Sequence, residues 1–232
     1  MRKWKWEGVV QDFEEDLVEE IHEIAQFKGK VNRGSFFVAT LLTAILLSAL
    51  SDRLLFGPKW LIITIPVVLL LPLYYAVLNA RHRSTRILGL LITAVLTIAI
   101  VSSVVLLIIA LFRHTENATQ LLIDAALLWS ANILTFAIWY FEIDRGGPIR
   151  RHAKISDRPD LLFVQMASPT TGWENWLPTF SDYLFLAFNT STAFSPTDTL
   201  ALSRRIKSLM MAQSSLSLVI IAVLAARAIN IA

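Results

Sequence analysis

The chain of 232 residues is 55% hydrophobic and only 17% charged, whereas soluble domains carry roughly 25% charged residues. It contains no cysteine, which excludes disulfides, thiolate metal sites and cysteine nucleophiles. The formal net charge of +3 is too small to indicate a nucleic-acid partner. The composition therefore predicts an integral membrane protein.

The N-terminal segment, residues 1–34, is charged, and the first long apolar run begins only after it. A cleavable signal peptide would place its apolar region nearer the start, so we expect none. Residues 9–27 predict an amphipathic helix, whose apolar face consists of Val10, Phe13, Leu17, Ile21 and Ile24. The other face is acidic and would be repelled by anionic lipid. We therefore expect this helix to lie in the cytosol and to dock on the protein itself or on a soluble partner.

Five apolar runs are long enough to cross a bilayer, which takes about 20 helical residues. They cover residues 35–55, 59–80, 85–112, 118–143 and 209–231. Pro66 and Pro72 in the second run are compatible with a kinked membrane helix, and the triplet Gly146-Gly147-Pro148 predicts the end of the fourth run. The predicted fold is an all-α integral membrane protein with four helices in residues 35–144 and a fifth near the C-terminus.

The stretch before the last run, residues 181–200, does not fit a spanning helix. Asp182 to Phe188 is apolar but covers only about half a membrane, and the tract from Asn189 to Asp198 is polar and interrupted by Pro196. Either this is a re-entrant segment, shielded by protein or lining a water-filled cavity, or it is an interfacial helix followed by a turn. The basic connection at 145–180 precedes it, and residues 181–232 form a separate C-terminal unit.

The positions of the lysines and arginines predict the orientation of the chain. With the N-terminus inside and five spans, 17 of the 21 bases fall on the inner side, as the positive-inside rule requires. Bases at 150–158 and 204–207 flank residues 181–200, so that stretch must enter and leave on one face or lie on it. We expect a bacterial inner-membrane protein with a cytoplasmic N-terminus and an external C-terminus.

Polar side chains inside the predicted spans are candidates for function, because burying them in lipid is costly. In the fourth run, Asp124, Asn132 and Thr135 share one face of the helix. Arg227 in the last run lies at a depth similar to that of Asp124, so we predict an ion pair; the alternative is that Arg227 reaches out to the boundary. Gln213, also in the last run, either mediates helix packing or lines a pathway.

The sequence gives no positive indication of enzymatic chemistry. It has no Walker loop, nucleophile elbow, zinc-protease motif or dinucleotide-binding turn. Its four histidines lie in separate segments without the spacing of metal ligands. We therefore expect no catalytic residue, no metal site and no cofactor.

The C-terminal unit carries a resemblance to a known family. Residues 182–198 read DYLFLAFNTSTAFSPTD, and a basic turn and a last helix follow. This layout resembles the pore helix, filter and inner helix of two-transmembrane potassium channels, and similar sequences occur in bacterial multi-pass proteins with a domain of unknown function. Thr192 and Asp198 match the ends of the channel filter, but Ser195 and Thr197 replace its two glycines. The resemblance therefore implies a pore loop without potassium selectivity, because the glycines allow successive carbonyls to face a dehydrated ion.

Three functions follow as hypotheses. The first is a homo-oligomeric pore, poorly selective or favouring cations, lined by hydroxyls and a carboxylate from Thr190, Ser191, Thr192, Ser195, Thr197 and Asp198. The second is a non-conducting membrane module that binds a cytosolic protein through residues 9–27 or 145–160. The third is a small secondary transporter, although the sequence shows no internal repeat. The lipid bilayer is a partner in all three, and nucleic acid in none.

Overall fold

The computed structural model describes residues 33–55, 57–113, 117–153, 158–168, 171–174, 176–195 and 198–229. For Ala118 and residues 227–229 it describes the backbone alone. The predicted amphipathic helix at residues 9–27 and the candidate Thr197 lie outside this part of the chain, as does the side chain of Arg227.

Eight α-helices and two short strands make up most of the described chain. The helices are α1 (Gly34–Ser48), α2 (Lys59–Leu78), α3 (His82–Arg113), α4 (Ala118–Ile143), α5 (Pro148–His152), α6 (Val164–Ala167), α7 (Phe180–Thr192) and α8 (Arg204–Ile229). The strands β1 (Leu161–Leu162) and β2 (Leu200–Ala201) pair antiparallel. Four helices, α2, α3, α4 and α8, are long and apolar enough to cross a membrane.

The first predicted span, residues 35–55, is not one continuous helix. α1 has 15 residues and is about 22 Å long at 1.5 Å per residue, short of the roughly 30 Å hydrocarbon core. The chain then forms a 3₁₀ turn at Asp52–Leu54, beside which Leu50 and Leu54 are fully buried. Of the five predicted spans, four are thus matched by helices of sufficient length.

Helix α4 is the centre of the bundle, and it packs against α1, α3, α7 and α8. Its residues Leu121 and Leu128 are fully buried, whereas Leu71 of α2 and Ile98 of α3 are 66% and 69% exposed. Asp124 of α4, in contrast, is fully buried. Apolar side chains that face outward, with a polar group kept inside the bundle, are what helices in lipid require.

Charged side chains gather at one end of the bundle, which we call the basic end. The N-terminal ends of α1, α3 and α8 meet the C-terminal end of α4 there. Arg33 donates to Glu142, Arg86 lies against the turn after α4, and Arg205 donates to Asp160. The opposite end carries Arg113, the last residue of α3. A bundle with most of its bases at one end is what the positive-inside rule uses to assign the cytosolic face, and the orientation of the chain stays a prediction.

The turn after α4 follows the prediction made from its glycines. α4 ends at Ile143, and Gly146 and Gly147 adopt φ angles of 74° and 105°. Side chains with a Cβ rarely adopt these angles, so glycine is needed at both positions. Pro148 then occupies the first turn of α5, where its missing N–H costs nothing.

The polar tract that we predicted to be irregular from Asn189 onward begins, in fact, as helix. α7 starts at Phe180 with a capping box between Thr179 and Asp182 and continues to Thr192. The hydroxyl of Thr190 donates to the carbonyl of the preceding turn at 2.8 Å, and that of Thr192 does the same at 2.9 Å. Because the hydroxyls bond back to the helix itself, they do not end it.

Candidate functional site

Gln213 joins three helices through its side-chain amide, which is fully buried. Its Nε2 donates to the carbonyl oxygen of Ala187 at 2.7 Å and to Oγ of Ser191 at 2.8 Å. Its Oε1 accepts a hydrogen bond of 2.5 Å from the hydroxyl of Tyr140. The side-chain amide of Gln213, a residue of α8, therefore donates both of its N–H groups to α7 and accepts a hydrogen bond from α4.

Helix α7 lies lengthwise along α4 and starts at the basic end. There, the hydroxyl of Tyr183 donates to Asp144 at 2.7 Å. Farther along α7, the ring centre of Phe188 lies 6.0 Å from that of Trp129. Trp129 is about 21 Å from the C-terminal end of α4 at 1.5 Å per residue. Gln213 is about 14 Å from the start of α8 by the same measure. The polar C-terminal end of α7 is thus next to the middle of two long helices.

The candidate pore-lining residues do not share one surface. Thr190 and Ser191 are 1% and 0% exposed, because they face α4 and α8 within the same chain. Thr192, Ser195 and Asp198 are exposed. The polar tract therefore divides into a buried pair that binds the chain's own helices and an exposed set.

Asn132 and Thr135 of α4 are fully buried, and Asn132 faces α8. Nδ2 of Asn132 donates to Oγ of Ser217 at 3.0 Å. Oδ1 of Asn132 and Oγ1 of Thr135 have no hydrogen-bond partner among the described residues. The buried face of α4 therefore keeps two polar groups without a partner among the described residues, and the one on Asn132 lies beside α8.

Asp124 is fully buried near the end of the bundle opposite the basic end. Its Oδ1 accepts hydrogen bonds of 3.1 Å from the backbone N–H of Ser51 and from Nε2 of Gln120. Asp124 thus holds the turn after α1 against α4. The side chain of Arg227 lies outside the described residues, so the ion pair between Arg227 and Asp124 stays a prediction.

A buried ion pair at the basic end was not foreseen from the sequence. Arg33 and Glu142 are 3% and 0% exposed, and Nη1 of Arg33 lies 2.7 Å from Oε1 of Glu142. Helix α3 crosses this pair at Gly89, where an added Cβ would lie 3.2 Å from the Glu142 carboxylate. The sequence placed Glu142 at the end of α4, but nothing near Arg33, 109 residues away, identified it as the partner.

Residues 145–153, part of the connection that we predicted to bind a partner, pack against the bundle. Arg151 is 1% exposed and donates to the carbonyl oxygens of Phe141 and Asp144 at 2.8 and 2.9 Å. Its guanidinium lies 4.9 Å from the ring centre of Phe141 and 5.0 Å from that of Tyr183. A base that the sequence assigned to a cytosolic surface is therefore an internal contact between α5, α4 and α7.

Asp160 anchors the start of α8. Nε of Arg205 donates to it at 2.7 Å and Nη2 at 2.5 Å, in the two-pronged geometry that suits a carboxylate. Burial raises the pKa of Asp160, but hydrogen bonds from Arg205 and Ser203 outweigh burial and hold that pKa below its usual value. The carbonyl of Asp160 also accepts from Leu202 at 2.9 Å, which ties β2 to the same place.

No protein-family model, curated protein or solved structure matches the chain. Within the part of the chain that the structure describes, no group of three or more His, Asp and Glu side chains is placed to hold a metal ion. The expectations on enzyme activity, cofactors, partners and oligomeric state stay predictions.

Proposed function

We propose that this protein is a homo-oligomeric permeation protein of the bacterial inner membrane, built around a re-entrant segment. In this proposal α7 enters from the basic end, which faces the cytosol, and the chain returns to that end through residues 193–199. Extended chain from Thr192 to Leu200 spans up to about 26 Å, which is sufficient for the return. The amphipathic segment 9–27 remains in the cytosol and the C-terminus lies outside.

The observation that carries the re-entrant reading is the set of three hydrogen bonds made by Gln213. An interfacial helix would contact only the ends of α4 and α8, and its hydroxyls would be satisfied by water. The contacts of Ser191 and Ala187 with Gln213 lie instead about 14 Å along α8. Polar groups at that depth need partners within the protein, and the amide of Gln213 supplies them.

The exposed side chains near the end of α7 support a pathway between copies. Thr192, Ser195 and Asp198 are exposed. One exposed face of α8 consists mostly of small side chains, with Val219 among them: Ser208, Ala212, Ser215 and Ala222. Small residues allow helices to approach closely in a membrane. Copies that turn these surfaces toward a shared axis would surround it with hydroxyls and carboxylates, which favour hydrated cations. The burial of Thr190 and Ser191 removes them from the proposed lining.

A flux assay on proteoliposomes tests this proposal. We expect wild-type protein to pass small cations, and Thr192→Ala combined with Asp198→Ala to reduce the flux at least tenfold. Ser130→Ala is the matched control, because its hydroxyl also bonds back to its own helix, at 3.0 Å, and lies on another helix. No flux from wild type under any cation gradient, or an equal loss in the control, contradicts the proposal.

A further inference from the structure

A cavity of about 520 Å³ lies at the basic end, between the start of α3 and the turn from α4 to α5. Its lining contains five basic side chains, the four arginines and one histidine: Arg33, His82, Arg83, Arg86 and Arg150. The rest of the lining is Gly146, Gly147, Pro148 and Ile149, so no carboxylate is among the described residues that line it. We call this space the arginine cavity.

The arginine cavity has a strong excess of positive charge. Glu142 binds Arg33 and offsets its charge, but no described residue of the lining offsets the charges of Arg83 and Arg86. Glu142 is fully buried behind Arg33, so it does not enter the cavity itself. Guanidinium groups held around one space repel each other, and an anion in that space removes the repulsion.

Two further features fit a bound anion. Arg33 is 3% exposed, yet its Nε has no hydrogen-bond partner among the described residues. A Cβ on Gly147 would lie 3.2 Å from Nη1 of Arg86, so this guanidinium lies directly against the backbone of the turn. Arg33 is held in place by Glu142, so it does not have to be ordered when a ligand arrives.

We propose that the arginine cavity binds the phosphate group of an anionic ligand, either the headgroup of a phospholipid or a small phosphate from solution. The planar guanidinium fork matches the oxygen geometry of phosphate and forms paired hydrogen bonds with it. Arg33 precedes α1 and Arg86 lies in the first turns of α3, at the level where headgroups meet the ends of spanning helices. The volume exceeds that of a phosphate alone and accommodates a glycerol headgroup, so position and size favour the lipid source.

Native mass spectrometry of the full-length protein in detergent tests the proposal. Wild type and a variant of distinguishable mass are mixed and offered phosphatidylglycerol or phosphatidylcholine. The variants are Arg83→Gln, which is exposed at the cavity rim, and Arg150→Gln. The matched control is Arg81→Gln, which removes the same charge from the same turn but lies outside the cavity, 5.5 Å from the ring of Tyr75. We expect each cavity variant to bind phosphatidylglycerol about fivefold more weakly and the control to change it less than twofold.

A second measurement separates the two sources of phosphate. If phosphatidylglycerol binds far better than phosphatidylcholine, and the cavity variants lose that preference, the ligand is a lipid. If instead inorganic phosphate at millimolar concentration raises the Tm of wild type but not of Arg83→Gln, the ligand is a soluble phosphate. The proposal is overturned if neither probe distinguishes wild type from the cavity variants, or if Arg81→Gln loses as much binding as Arg83→Gln.

Discussion

The junction of α4, α7 and α8 gives the sharpest stability prediction, the effect of Gln213→Leu. Leucine fills a similar volume but removes the three hydrogen bonds of the amide and leaves the hydroxyls of Tyr140 and Ser191 without that partner. At the average of about 0.6 kcal/mol for a side-chain hydrogen bond inside a membrane protein, three bonds amount to about 2 kcal/mol. Loss of the Gln213 partner at the buried hydroxyls of Tyr140 and Ser191 raises the expected destabilisation to about 3 kcal/mol.

Reversible unfolding in mixed micelles, followed by tryptophan fluorescence, measures this loss. Trp129, one of seven tryptophans, lies against Phe188 of α7, so part of the emission reports on the same junction. Ser214→Ala is the control, because Ser214 makes only one bond of 3.3 Å to α7, and we expect less than about 0.7 kcal/mol from it. Tyr140→Phe added to Gln213→Leu is expected to cost less than the sum of the two single changes, since the bond between these two side chains is already lost. A loss below about 0.5 kcal/mol for Gln213→Leu, or full additivity with Tyr140→Phe, refutes the reasoning.

Three further predictions concern the basic end and the polar tract. Arg33→Met or Glu142→Met alone is expected to destabilise the protein by about 3–5 kcal/mol, because each single change leaves a buried charge without its partner. The double variant is expected to lose less than either single variant. Unfolding measurements in which the double variant is the least stable contradict this. Because the folded pKa of Asp160 is depressed, its contribution to the free energy of unfolding is present above the unfolded pKa of about 3.9 and is lost as pH falls through the folded value. Asp160→Asn is therefore expected to flatten the stability profile in that acid range, and an unchanged profile is the opposing result. The chain has no cysteine, so Ser195→Cys and Arg113→Cys each introduce a single thiol. Ser195→Cys is expected to react with an impermeant maleimide from the cytosolic face alone, and Arg113→Cys from the other face. The reverse pattern contradicts the proposed topology.

The long apolar helices could be predicted from the sequence because hydropathy alone determines them. The run at 118–143 matches α4 at both ends, and the run at 59–80 matches α2 to within two residues at its end. The last helix was predicted to begin at residue 209 but begins at Arg204. Charged residues at its start lower the hydropathy there without preventing a helix, so a search for apolar runs begins too late.

The contacts between distant segments could not be predicted from the sequence. The polar face of α4 was visible in its periodicity, but its partners lie on other helices: Asn132 binds Ser217, and Asp124 binds the turn at Ser51. Arg151 illustrates the limit most clearly, because charge alone assigned it to a solvent-facing connection. A buried position for it requires two aromatic rings and two carbonyls from separate helices, and only the folded chain brings these together.

Helix α7 is fastened at its two ends to different long helices, and this has a mechanical consequence. Tyr183 binds the end of α4, whereas Ser191 binds the middle of α8. A displacement of α8 away from α4 by about 1 Å stretches one of these bonds beyond hydrogen-bond range. The three helices therefore move as one body until a bond breaks, and the short helix sets how far the long ones can separate.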